Sequence, residues 1–283
     1  PEYRATDYYL MDGYNDSNYP DVTPERDGKR LIVQPNTFNM YCHREPRFYL
    51  TVVWNGQWFK WENRNTNFLY GQPDGGPTHD APQNGYLNRS RVSLDYIPRD
   101  NNHPYRPAII FRMAEAYLSY AEALNESSER MSHKQEILDN LNKIRHRAGI
   151  AEYGTGTDEN GFTRIKINFS DQKEVRRLIH KERRVEFVGE GVRYHDLRRW
   201  KTAHYGIGNL NEQGENPDWG VNGPDYGMNY YGTEYTDQGD NAFFKRTKYM
   251  DRVYPRKFYW YPIHQSEIDK DPTLVQGPFW LGE

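Results

Sequence analysis

Leu, Ile, Val and Phe together supply only 52 of the 283 residues, whereas Tyr alone supplies 24. A chain this short of the usual core residues must build its interior largely from aromatic rings. On that count alone the composition borders on that of disordered chains. Two features point the other way: the formal net charge is only −3, and Tyr, Phe and Trp come to 43 residues. Each ring buries a large area, while Tyr and Trp keep a polar tip that tolerates water. The sequence therefore predicts a folded, aromatic-rich protein with a polar surface, long enough for one large domain or two small ones.

The same inventory excludes several classes. No apolar run approaches the ~20 residues of a membrane-spanning helix. The 37 basic and 40 acidic residues are interspersed, so no basic field argues for nucleic acid. Cys42 is the only cysteine, which rules out an intramolecular disulfide and a cysteine-built zinc site. It reads as a free buried thiol; His43 is only its sequence neighbour.

Along the chain, residues 1–106 are loop-rich. Within them, "FYLTVVWNGQWFKWEN" carries Asn55-Gly56 between β-branched and aromatic runs, which predicts a type I′ hairpin. That register sets Trp54 opposite Gln57, Val52 opposite Phe59 and Leu50 opposite Trp61 on one apolar face, leaving Trp58 on the more polar side beside Thr51 and Lys60. Residues 107–203 read as helical. The first helix runs from about Pro107 to Asn125 with Ile110, Met113, Tyr117, Tyr120, Ala121 and Leu124 recurring at three-four spacing. A second starts at Ser132, with Gln135 completing a capping box, and stops at Gly149. A third starts near Asp171, with Glu174 as its box partner, and a fourth is "VRYHDLRRWKTA". Helix pairs of this length resemble tetratricopeptide units. Residues 204–283 form a loop-rich tail expected to pack back on the helices, and the Gly-, Asn- and Tyr-rich stretch from Tyr205 to Phe244 is long enough to be functional.

Glu182 and Glu186, one turn apart, invite a paired-carboxylate glycosidase reading. That mechanism needs two carboxyls on opposite sides of a sugar, ~5–9.5 Å apart. Neighbours on one helix face among Arg183 and Arg184 are better explained as ion-paired structure. His180 and His195 lack a metal-ligand spacing, and there is no GxSxG, P-loop or GxGxxG motif. No cofactor is expected, although Asp237, Asp240 and Asn241 leave room for a structural calcium ion. What stands out is the excess of Trp and Tyr in loops, because flat rings stack on sugar C–H faces while nearby amides and guanidinium groups bond hydroxyls. The hairpin reading makes Trp58 the leading platform, extended by Tyr70 and by Tyr14 and Tyr19 in the preceding loop, with Asn63 and Arg64 as hydrogen-bonding groups.

Five segments, "REPRFYLTVVWNG", "RPAIIFRMAEAYLSYAEALNES", "LDNLNKIRHRAGI", "LIHKERRVEFVGEGVRYHDLRRW" and "YPIHQSEIDKDPTLVQGP", occur in that order. Together they resemble the C-terminal half of the SusD-like (SusD/RagB) family. The resemblance implies a mainly α fold, a superhelix of tetratricopeptide-like hairpins with long irregular loops. It implies a non-catalytic protein of the outer membrane, outward-facing and lipid-anchored, that captures nutrients for a TonB-dependent SusC-like transporter. Its cargo would be a glycan or, in some relatives, a peptide; the aromatic wealth leans towards sugar. The family's lipidated start and first helical repeats have no counterpart here, so residues 1–283 are expected to be the C-terminal part of one SusD-like domain, with the N-terminal half as a further partner. Ligand residues vary within the family, and none is carried over by the resemblance.

Overall fold

The computed structural model describes residues 37–42, 44–59, 62–90, 92, 100–101, 103–105, 108–206 and 220–280. The expected positions Tyr14, Tyr19, Lys60, Trp61 and Pro107 lie outside them. The chain forms two compact units, one of residues 1–190 with 227–247 and one of residues 191–226 with 248–283.

In the first unit, helix α1 (Pro46–Thr51) opens with Pro at its first turn, where no backbone donor is lost. Strand β1 (Val52–Trp54) follows directly. Here the structure departs from the expected hairpin. Leu50 belongs to α1 and is exposed, and β1 pairs antiparallel with β4 (Tyr86–Asn88), Trp54 opposite Tyr86. Strand β2 (Trp58–Phe59) pairs instead with β3 (Arg64–Asn65), Trp58 opposite Asn65. The 54–57 turn does form, with the Gln57 N–H donating to the Trp54 carbonyl at 3.2 Å. Only Gly56 takes positive φ (+92°), so the turn is not type I′, which needs both central residues there. Buried Asn55 uses its side chain to accept from the Phe68 N–H at 2.7 Å.

The core around β1 is aromatic, as the composition required. Tyr41, Phe48, Tyr49, Trp54, Phe68, Phe243 and Phe244 are buried together with Met40, Val52 and Met228. Trp54 packs on Phe48 and Tyr49, ring centroids 5.5 and 5.4 Å away.

Helices α2 (Met113–Glu126), α3 (Lys134–Ala148) and α4 (Gln172–Glu186) form the second core of this unit. Helix α2 packs on both α3 and α4, burying Leu118 and Ala121 with Ile137, Leu141, Ile144, Val175, Leu178 and Ile179. Two sequence expectations need correction. Helix α2 starts at Met113, and its inward face is Ala114, Leu118, Ala121, Glu122, Leu124 and Asn125, so that of the expected stripe Ala121 and Leu124 are buried. Ile110 is 97% exposed, and Met113 and Tyr120 are also exposed. Helix α3 is preceded by His133 without a side-chain cap, because the Ser132 hydroxyl donates to the Glu129 carbonyl at 2.8 Å. The other ends are as expected. Gly149 closes α3 at φ +68°, and the Asp171 carboxylate accepts from Lys173 N–H and Glu174 N–H at 2.9 and 3.2 Å to start α4. The Asp171 N–H itself bonds the Asn168 carbonyl, so the box is not reciprocal.

The charges of α4 are structural. Glu182 is fully buried, accepting from Arg47 Nη1 at 2.7 Å and from Arg145 Nη1 at 3.1 Å. Glu186 accepts from Arg47 at 2.9 Å and also from Arg112 and Arg147. His180 is buried in α4 and His195 is exposed. Cys42 is half-buried, with its thiol towards the Phe38 carbonyl at 3.7 Å.

In the second unit, α5 (Val192–Arg199) receives the C-terminal tail. Arg198 donates to the Tyr259 carbonyl at 2.7 Å and lies 4.7 Å from the Tyr261 ring centroid, and His204 meets the Tyr259 hydroxyl at 2.8 Å. Strand β5 (Gly223–Gly227), of which 223–226 belong to this unit, pairs with β6 (Thr247–Arg252), of which 248–252 do, and α6 (Gln265–Lys270) follows.

Candidate functional site

Two loops of the first unit build an aromatic corner. The loop of residues 62–80 is anchored by Asp74, whose carboxylate accepts from Arg64 Nη1 and Nη2 at 2.6 and 2.8 Å and from the Asn67 N–H at 2.8 Å. Burial pushes the Asp74 carboxyl up, but the Arg64 and Asn67 hydrogen bonds outweigh it and hold the group below its ordinary range. The Thr66 hydroxyl bonds the Trp54 carbonyl at 2.6 Å, which fastens this loop to the aromatic core.

The second loop, residues 228–244, is shaped by buried Asn229. Its amide donates to the Ala242 carbonyl at 3.2 Å, and its side-chain oxygen accepts from the Tyr231 N–H at 3.1 Å. The two loops join where the Tyr70 N–H donates to the Gly232 carbonyl at 2.8 Å. Tyr70, Tyr230 and Tyr231 thereby meet. Ring centroids are 6.1 Å apart for Tyr70–Tyr230, 5.5 Å for Tyr70–Tyr231 and 5.1 Å for Tyr230–Tyr231. The Tyr230 hydroxyl leans on the Thr78 carbonyl at 3.4 Å, whereas Tyr231 is 70% exposed. Gln72, Thr233 and Glu234, all exposed, flank the rings in sequence, and exposed Thr78 borders Tyr230 through that carbonyl. A fixed, wet aromatic surface with amide and hydroxyl neighbours suits apolar stacking with hydrogen bonds at the rim.

Of the residues expected from sequence, Tyr70 takes part in this corner. Arg64 serves the loop that carries Tyr70, with both terminal nitrogens held by Asp74. Asn63 is exposed with φ +51°. Trp58 is half-buried on β2 and pairs with Asn65 of β3, not in the register expected around Asn55-Gly56. Tyr230 and Tyr231 were missed by residue-level reading. Their signal was the Tyr-rich stretch of residues 205–244, but nothing local says that it meets Tyr70.

Two other places are chemically weaker. A cleft of about 870 Å³ lies beside α3, lined by Tyr117, Lys143, His146, Glu152, Arg164 and Phe169 among others. Part of its charge is engaged within it: Lys143 sits 4.5 Å from the Tyr117 centroid, and Glu152 accepts from Arg164 at 2.9 Å and faces His146 at 3.2 Å. Around Asp240, the Lys245 ammonium holds the carboxylate at 2.7 Å. Among the described residues no three His, Cys, Asp or Glu side chains are placed to hold a metal ion, and no helix is long and apolar enough to cross a membrane.

Comparison with known proteins gives a consistent set of relatives. A SusD-like protein, P25, of Formosa agariphila is 32% identical over 109 residues, covering 38% of this chain and 18% of that protein. A second from the same organism, P38, is 32% identical over 103 residues, 36% of this chain and 19% of that protein. A crystal structure of a SusD-like protein from Bacteroides fragilis superposes with a TM-score of 0.59 at 25% identity, over 97% of this chain and 45% of that one. A SusD-like carbohydrate-binding protein from the same species gives 0.56 at 21% identity, over 96% and 47%. This chain thus spans less than half of either solved relative. The SusD family model matches residues 2–280, and the chain belongs to the SusD family.

Proposed function

We propose that this chain is a non-catalytic glycan-binding subunit of an outer-membrane nutrient-uptake complex, and that it presents oligosaccharide or polysaccharide to a SusC-like TonB-dependent transporter. The observation that carries the reading is the corner in which exposed Tyr231 stands against half-buried Tyr70 and Tyr230. Family membership supports it, as does the carbohydrate-binding description of one solved relative of the same fold. The glycosidase reading loses its best residue, since fully buried Glu182 cannot flank a substrate. An outward-facing, lipid-anchored position and a longer SusD-like chain as partner complete the proposal. The apolar side chains left exposed around α2, such as Ile110 and Met113, suit cover by further helices of such a chain. No cofactor is part of the proposal, and a structural calcium ion would have to be found by metal analysis.

The test is a glycan array run beside a peptide pool on the purified protein, with an assay for new reducing ends on every glycan bound. Glycan binding without new reducing ends is expected. Binding confined to peptides, or sustained release of reducing ends, would overturn the reading.

A further inference from the structure

The mutual orientation of the three tyrosines bears on what kind of glycan they can read. Their ring planes cross at 74° for Tyr70–Tyr230, 45° for Tyr70–Tyr231 and 89° for Tyr230–Tyr231. With centroids only 5.1–6.1 Å apart, the rings touch one another at aromatic contact distance. An extended, ribbon-like glycan presents successive sugars in roughly one plane, and a protein that reads several of them needs rings spread out and nearly coplanar. Here no two of the three rings share a plane. A sugar lying on the open face of Tyr231 meets a turned ring beside it, not a second stacking surface.

The loops hold this geometry. Asn229 fixes the Tyr231 backbone, Gly232 is tied to Tyr70, and Gly76 lies directly against the Tyr230 ring, where an added Cβ would come within 2.6 Å of the ring carbon Cζ. Flattening the trio into a platform would mean breaking these contacts.

Resting on the glycan reading above, we infer that the corner takes a single sugar residue, a chain end or a side branch, and does not read a run of sugars. The Tyr231 face stacks on that residue, and the neighbouring ring bounds its edge. A second residue in the chain leaves the corner and gains little.

The experiment titrates the full chain and its Tyr231→Ala variant with gluco-, xylo-, manno- and galacto-oligosaccharides of one to six residues, α- and β-linked, by calorimetry. The expected result is binding by at least one series that Tyr231→Ala weakens at least tenfold, with Kd changing less than threefold between the disaccharide and the hexasaccharide. Tyr231-dependent binding that tightens more than threefold over that interval overturns the single-residue inference and leaves the glycan site standing. Binding indifferent to Tyr231→Ala, or binding by none of the series, overturns the site and the inference with it. Tyr231 is largely exposed, so the variant is expected to fold, and an unchanged thermal midpoint verifies that.

Discussion

Arg47 Nη1 lies 2.7 Å from Glu182 Oε1 across 135 residues of sequence, with both side chains nearly or wholly out of water. This pair stitches the start of α1 to the C-terminal third of α4, and Arg145 closes it from α3 at 3.1 Å. Burying charges is costly, so the pair is stable only while each member keeps its partner. Glu182→Gln leaves two buried guanidinium groups under-compensated and should cost ~3–5 kcal/mol. Arg147, whose side chain is 58% exposed beside Glu186, should cost no more than ~1 kcal/mol when changed to Ala. Urea unfolding of the two variants checks the contrast; equal losses would mean that burial does not set the energy of this network.

The neighbouring Glu45 predicts a pH dependence. It is buried and receives Arg47 Nε and Nη2 at 2.9 and 2.8 Å. Burial pushes its carboxyl up, the Arg47 charge only partly reverses this, and the result is a rise from 4.5 to about 7. The folded state thus holds a proton that the unfolded state has released between those values. Stability from this group is complete below about 4.5 and is lost as pH rises through 7, by about 3 kcal/mol. Glu186 acts in the opposite sense. Burial pushes it up, but Arg47, Arg112 and Arg147 together hold it below its ordinary value, so its contribution is present above about 4.5 and lost in acid. Thermal midpoints from pH 4 to 8 should therefore peak in the mildly acidic range. Glu45→Gln should flatten the decline between about pH 5 and 7.5; an unaltered slope would refute the assignment to Glu45.

Adjacent glycines separate folding from binding. A Cβ on Gly75 would sit 2.0 Å from the Leu69 carbonyl oxygen, part of the backbone, whereas the three atoms nearest to one on Gly76 all belong to the Tyr230 side chain, at 2.6–2.8 Å. Gly75→Ala should lower the thermal midpoint markedly. Gly76→Ala should leave it within a few degrees, displace Tyr230 and weaken glycan binding several-fold. Circular dichroism melts and calorimetry on both variants decide this, and equal melting losses would count against it.

Tyr231 and Trp54 should behave as opposites. Tyr231→Ala removes a stacking face and should cost on the order of 1–3 kcal/mol of affinity, taking base–aromatic stacking as the analogue, with little change in stability. Trp54→Ala empties the aromatic core and should cost ~3–5 kcal/mol of stability. Trp54 Nε1 is buried without a hydrogen-bond partner among the described residues, so Trp54→Phe sheds an unsatisfied donor, leaves a smaller cavity and should cost less than Trp54→Ala. Trp58→Ala, measured beside them, shows whether half-buried β2 adds to the platform. If Trp58→Ala binds as wild type does, the site is confined to the tyrosine corner.

Much of this protein was legible in its residues. The Asp171 cap and the Gly149 stop are local chemistry, and both ends lie where they were expected. The scarcity of aliphatics required an aromatic core, and Trp54 is in it. The mixed charges of α4 required ion pairs, and Glu182 and Glu186 make them. What the residues did not determine were choices between competing long-range partners. Asn55-Gly56 favours a hairpin, but the strand before it gains more by pairing with residues 86–88, and the Asn55 side chain is recruited by Phe68. Helix α2 has two faces with apolar character, and its contacts with α3 and α4 decide that Leu118 and Ala121 turn inward while Met113 and Tyr120 face out. The tyrosine corner needs Tyr70 to meet residues about 160 positions later in the chain. No local preference encodes that encounter, because it exists only once the Asn229 turn and the Asp74-anchored loop have both been fixed in place by the core beneath them.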